Sequence, residues 1–98
     1  MLERRLSIIN QLGLHARAAA QLVRTANRFR CRIELKRLDN GVTANAKSIL
    51  SVLYIAAGYG VDLELTADGE DEAEAIAAIE ELFLDGFGEL DSTTDGHK

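Results

Sequence analysis

Leu2, Leu6 and Ile8 share one side of a stretch whose other positions are mostly polar, and this alternation predicts a half-buried strand. Arg4 is the exception on that side. Gly13 breaks the pattern, and from Ala16 the period changes. Ala19, Leu22, Val23, Ala26 and Phe29 fall on one helical face, while Arg17, Gln21, Arg24 and Arg28 fall on another. Cys31, Ile33 and Leu35 alternate with charged residues and predict a second strand with one buried face, Cys31 being a buried thiol. Asp39-Asn40-Gly41 is a turn signal, so Val42–Ala44 should return as a short strand. The apolar run Ile49–Ala57 is ambiguous by period, and Ser48 before it favours a helix capped by that hydroxyl. Gly58 and Gly60 end it. Val61, Leu63 and Leu65 define a further strand. Asp71 and Glu74 have the spacing of a capping box before a helix buried through Ala75, Ile76, Ile79, Leu82 and Phe83, which Gly86 stops.

The order β-α-β-β-α-β-α, with one apolar face per element, predicts an α+β fold. Its expected form is an open-faced two-layer sandwich: a four-stranded, mainly antiparallel sheet with three helices on one face. Residues 1–89 form one domain, and the polar segment 90–98, which contains His97, reads as a disordered tail.

Composition narrows the class. A single cysteine among 98 residues excludes an internal disulfide scaffold. The uncharged stretch Ile49–Val61 has 13 residues, short of the ~18 that a membrane span needs. The first ten residues lack the apolar run of a signal peptide, so a cytoplasmic protein is expected. The net charge of −5 argues against nucleic-acid binding but hides an asymmetry. Residues 1–40 carry +6 and residues 61–98 carry −12. Arg17, Arg24, Arg28 and Lys47 therefore predict a face that meets acidic protein surfaces, with the C-terminal acids away from it. A basic stripe is equally consistent with an ordinary solvated helix face.

His15 lies where loop becomes helix, in Gly13-Leu14-His15-Ala16-Arg17. Unpaired backbone N–H groups and the positive helix end there favour an anion such as a phosphoryl group. Arg17 supplies a planar charge for phosphate oxygens. By spacing alone, His15 could also be a plain helix-entry residue. Ser48, as an N-cap, is by itself only a cap. No Cys/His/Asp ligand cluster is visible, so no metal or other cofactor is expected. Tyr54 and Tyr59 either line a site or pack.

The motif around His15, followed by Lys47-Ser48-Ile49-Leu50 and an acidic start to the last helix, resembles the HPr family of bacterial phosphotransferase systems. The resemblance runs from about Leu2 to Leu84. It implies a phosphocarrier whose histidine, His15, takes a phosphoryl group on Nδ1 from phosphorylated enzyme I and passes it to an enzyme IIA. Phosphoenolpyruvate stands behind enzyme I. The protein would be an intermediate in sugar transport rather than an autonomous catalyst. Arg17 matches the arginine that stabilises the moving group, and Ser48 the serine modified by HPr kinase/phosphorylase, which can engage a transcriptional regulator. Ile49, Leu50 and Leu53 match the apolar docking patch, with Arg24 and Lys47 as basic docking residues. A monomer is expected. Ala18 stands where the family has Pro, Ser51 where it often has Gly, and the Arg37–Gly41 hairpin looks two residues longer. Three other readings stand beside it: a regulatory module working through phospho-Ser48, a nitrogen-branch carrier, and a small domain that binds ligands without covalent chemistry. His15 weighs against the first, and the paired motifs against the last.

Overall fold

A computed structural model describes residues 1–55 and 57–90 of the chain. Strand β1 (Leu2–Ser7) leads through the loop containing Gly13 into helix α1 (Ala16–Ala26). Strands β2 (Arg32–Arg37) and β3 (Thr43–Asn45) form a hairpin, followed by the short helix α2 (Ile49–Ile55). Strand β4 (Asp62–Asp68) and helix α3 (Glu72–Leu84) complete the order β-α-β-β-α-β-α, and a 3-10 turn, Gly86–Gly88, follows. The strand order in the sheet is β1-β4-β2-β3, and every pairing is antiparallel.

Period-two alternation puts Leu6, Ile33, Leu35, Leu63, Leu65 and Ala67 on the face covered by the helices, all buried. The helices answer with Leu22 and Ala19 of α1, Val52 and Ile55 of α2, and Ile76, Ile79 and Phe83 of α3. Burial of this shared face supplies the main stabilisation, at roughly 25 cal/mol per Å² of apolar surface. The uncovered face carries a cross-strand row of opposite charges, Arg5 against Glu64 against Lys36.

Arg4, the exception in the first strand, stands opposite Leu65 and extends its guanidinium to the Glu80 carboxylate of α3 at 3.0 Å. A long side chain at a sheet edge can cross apolar surface and still place its charge on a partner. The predicted return strand is displaced by one residue. Gly41 N donates to Arg37 O at 2.8 Å and Val42 N to the Asn40 side chain at 3.0 Å, so Val42 belongs to the loop. Helix α2 ends at Ile55 rather than Ala57.

The capping box predicted for α3 does not form. Asp71 sits at the N-cap position but makes no cap bond. Its carboxylate accepts from the backbone N–H groups of Arg30 at 2.9 Å and Cys31 at 3.0 Å, two donors left bare where the chain enters β2. Glu72 instead accepts from Gly69 N at 2.9 Å. Of the segment expected as a tail, only residue 90 is described. Leu90 lies close over Gly86, where a Cβ would meet its Cγ at 2.5 Å, and residues 91–98 lie outside the described part.

Candidate functional site

The loop before α1 is shaped by Asn10 and Gly13. Asn10 is buried, and its amide donates to Gly13 O at 3.0 Å. Gly13 has φ +67°, and a Cβ there would lie 2.7 Å from both Ala57 O and Gly58 Cα. Only glycine permits that conformation and that approach. Leu14 N then donates to Ala57 O at 3.0 Å, which pins the loop to the exit of α2.

His15 is the N-cap residue of α1, with extended backbone and a side-chain exposure of 27%. Its Nδ1 accepts a long bond of 3.4 Å from Arg17 N. That nitrogen therefore faces the first turn of a helix whose free N–H groups favour an anion. The Arg17 guanidinium, carried by the first turn of the same helix, is mostly exposed.

The structure adds a residue that the sequence did not mark. Glu89 Oε2 meets His15 Nε2 in a very short contact and accepts from Arg17 Nη2 at 3.1 Å, while Oε1 accepts from Asn10 Nδ2 at 2.9 Å. The side chain is only 10% exposed. Burial alone would raise its pKa, but the bonds from Asn10, His15 and Arg17 outweigh that and hold it below the usual carboxylate value. Glu89 is therefore an ionised acceptor, and His15 Nε2 is the donor. The expectation that the C-terminal acids lie away from the basic face is overturned at this residue. The chain folds back after α3 through Gly86, Phe87 and Gly88, with φ values of 59°, 55° and 76°. Phe87 is buried against Phe83, ring centroids 5.0 Å apart, and its carbonyl accepts from Gln21 at 3.4 Å. Gln21, read as part of the solvated stripe, thus faces this turn. The sequence signal, in hindsight, is an aromatic between two glycines just past a helix.

Most of the remaining predicted residues lie in the last turn of α1, in α2 and in the turn before it. Helix α2 packs on α1 but begins at its far end, where Asn27 Nδ2 donates to Lys47 O at 3.2 Å. Lys47 Nζ donates to Phe29 O at 2.7 Å, so its ammonium is tied to the backbone just past the exit of α1. Ser48 Oγ accepts from Ser51 N at 3.3 Å, as a helix cap does. His15 thus opens α1, while the segment leading to Ser48 is tied to the residue that follows its last turn. Ser51, which had no reading, accepts from Asn45 N at 2.9 Å and ties α2 back to β3. Ile49, Leu50 and Leu53 are exposed on α2, Leu50 by 76%. Tyr54 and Tyr59 are also exposed, and Arg24 lies exposed in the last turn of α1. Ala18 is fully buried, so the position lacking Pro contributes to the core. Among the described residues no group of three His, Cys, Asp or Glu could hold a metal ion, and no helix is long and apolar enough to cross a membrane.

An open-faced sandwich with a histidine at the mouth of its first helix, backed by an arginine, defines a class of small histidine-centred α+β domains. The comparisons identify which one. Residues 2–85 match the family model described as the PTS HPr component phosphorylation site. The phosphocarrier protein HPr of Cupriavidus necator is 46% identical over 89 residues, covering 91% of this chain and 98% of that protein. HPr-C-His from Thermoanaerobacter tengcongensis superposes with a TM-score of 0.86 at 39% identity, covering 91% of this chain and 98% of that one. The Bacillus anthracis phosphocarrier HPr gives a TM-score of 0.78 at 35% identity, covering 84% of this chain and 95% of that one. The chain belongs to the HPr family of the phosphotransferase system.

Proposed function

We propose that this protein carries a phosphoryl group on His15 Nδ1, accepted from phosphorylated enzyme I and delivered to an enzyme IIA domain. The observation that carries this reading is Nδ1 facing the open first turn of α1, the turn to which Arg17 belongs. The Nδ1 electron pair forms the new P–N bond. The donor's P–N bond breaks, and its pair returns to the donor ring, which leaves neutral with its own proton on the other nitrogen. His15 keeps its Nε2 proton. The long bond from Arg17 N is released, and that N–H and the guanidinium turn to the phosphoryl oxygens. The work of the chain is positioning and charge stabilisation, so it acts only with its partners. Ile49, Leu50 and Leu53 form the apolar part of the docking surface and Arg24 its basic part, while Lys47 serves to fix the loop that carries Ser48.

Ser48 is the proposed site of regulatory phosphorylation by an ATP-dependent kinase. A phosphate there adds a charge of about −2. It lies at the start of α2, beside the exposed Ile49 and Leu50. It therefore acts by repelling an acidic partner from the docking surface.

The test is incubation with phosphoenolpyruvate, Mg²⁺ and enzyme I. The expected product is an acid-labile, base-stable adduct on the wild-type protein and none on His15→Ala. Equal labelling of both proteins would overturn the carrier reading. Kinase and ATP should label wild type but not Ser48→Ala.

A further inference from the structure

The transfer described above uses His15 and Arg17, yet both side chains converge on a third residue, from a part of the chain 74 positions downstream of His15. We propose that Glu89 is a positioning residue for phosphoryl acceptance: its carboxylate holds His15 by Nε2–H, so that the lone pair of Nδ1 faces the donor. This rests on the carrier reading.

Three observations support it. First, the carboxylate is committed. Oε1 is fixed by Asn10, itself buried and bonded to Gly13 of the loop that presents His15, so Glu89 and His15 share one support. Second, the segment that brings Glu89 there is over-determined. Phe87 is buried in a left-handed conformation between two glycines that share it, and Glu89 N donates to Gly86 O at 3.0 Å. Third, the bond geometry assigns the protons. An ionised carboxylate only accepts, so Nε2 carries the ring proton and Nδ1 remains a lone pair. Carboxylates that fix the second nitrogen of a working histidine play this part at metal sites and in hydrolytic triads.

The charge balance gives Glu89 a second consequence within the same role. When Nδ1 gains phosphorus while Nε2 keeps its proton, the ring acquires positive charge. The Glu89 carboxylate already faces the nitrogen where that charge is shared. Arg17 is bonded to the same Oε2 at 3.1 Å, so its guanidinium is held next to the imidazole on the Nε2 side until the phosphoryl group draws it across.

The experiment compares Glu89→Ala and Glu89→Gln with wild type by two measurements. Rapid-quench labelling gives the rate of phosphoryl acceptance from phosphorylated enzyme I, and ¹H–¹⁵N NMR of the unphosphorylated protein follows the His15 ring. Wild type should show an Nε2 proton shifted downfield and slow to exchange. Glu89→Ala should lose that signal and accept the phosphoryl group about tenfold more slowly, the loss typical of an orienting partner. In Glu89→Gln the amide oxygen can still accept, so the proton signal should persist while the rate falls between the other two. Melting curves and backbone amide spectra that match wild type establish that the variants are folded, and the proton retained in Glu89→Gln separates loss of the contact from a fold defect. Either a retained Nε2 proton or a wild-type rate in Glu89→Ala overturns the proposal. If wild type itself is not labelled, the carrier reading fails instead, and the NMR comparison still decides whether Glu89 holds the ring.

Discussion

Asn10 shows how little of the site a local reading can reach. It is the one buried polar side chain among the described residues, and it bonds both the loop before His15 and the carboxylate behind it. Nothing in Ile9-Asn10-Gln11 marks this, because the partner lies 79 residues away. Asn10→Asp keeps the shape but replaces the donor with an acceptor. It removes both bonds and sets two carboxylates against each other. The expected cost is about 2–3 kcal/mol in urea unfolding at neutral pH, shrinking as the medium is acidified and the new carboxyl takes a proton. His15 and Arg17 were legible because their signal is local: glycine, histidine and arginine placed around one helix start. Glu89 was not, because one acid among sixteen Asp and Glu carries no mark until a fold selects it.

At the scale of elements, the order of strands and helices followed from periodicity, since period 2 and period 3.6 are imposed by the same burial that builds the sheet and the helices. The discrepancies are all at ends, where a side chain or N–H chooses between nearby and distant partners. Asp71 leaves its own helix to satisfy Arg30 N and Cys31 N, and Val42 is drawn into the loop by Asn40. Ser48 behaved as a local cap, so Ser48→Ala should lower stability by about 1 kcal/mol, read from the urea midpoint. The turn after α3 answers to a different logic. A left-handed conformation costs a bulky residue of order 1–3 kcal/mol, and Phe87 tolerates it because its ring fills the core beside Phe83. Phe87→Ala should therefore cost about 3–5 kcal/mol in chemical unfolding, less whatever backbone strain it relieves. It should also release the His15 Nε2 proton to exchange in NMR, although the substituted ring touches neither partner of that contact.

At the scale of the whole molecule, five carboxylates among the described residues are held below their ordinary pKa by specific donors. Arg37 lowers Asp39, the Ser7 hydroxyl and then Arg5 lower Asp62, the Arg30 N–H lowers Asp71, and the Gly69 N–H lowers Glu72. Glu89 is lowered by its three side-chain donors against the opposing effect of burial. A group depressed in the folded state stabilises the fold above its unfolded pKa and ceases to do so as pH falls through its folded value. The ordinary values of such acids are 3.8 and 4.5, so the melting temperature should hold from neutral pH to about pH 5 and decline below about pH 4. Melting followed by circular dichroism across that range checks it. The net charge of −5 predicts none of this, because each depressed acid is set by a named partner rather than by the sum.

The turn at Gly86–Gly88 also has a consequence in time. Every strand and all three α-helices of the sandwich are encoded before residue 85, whereas the carboxylate behind His15 is encoded at residue 89. A growing chain therefore possesses its architecture before it possesses a finished reactive centre. Shape arrives first, and readiness is added by the few residues that emerge after it.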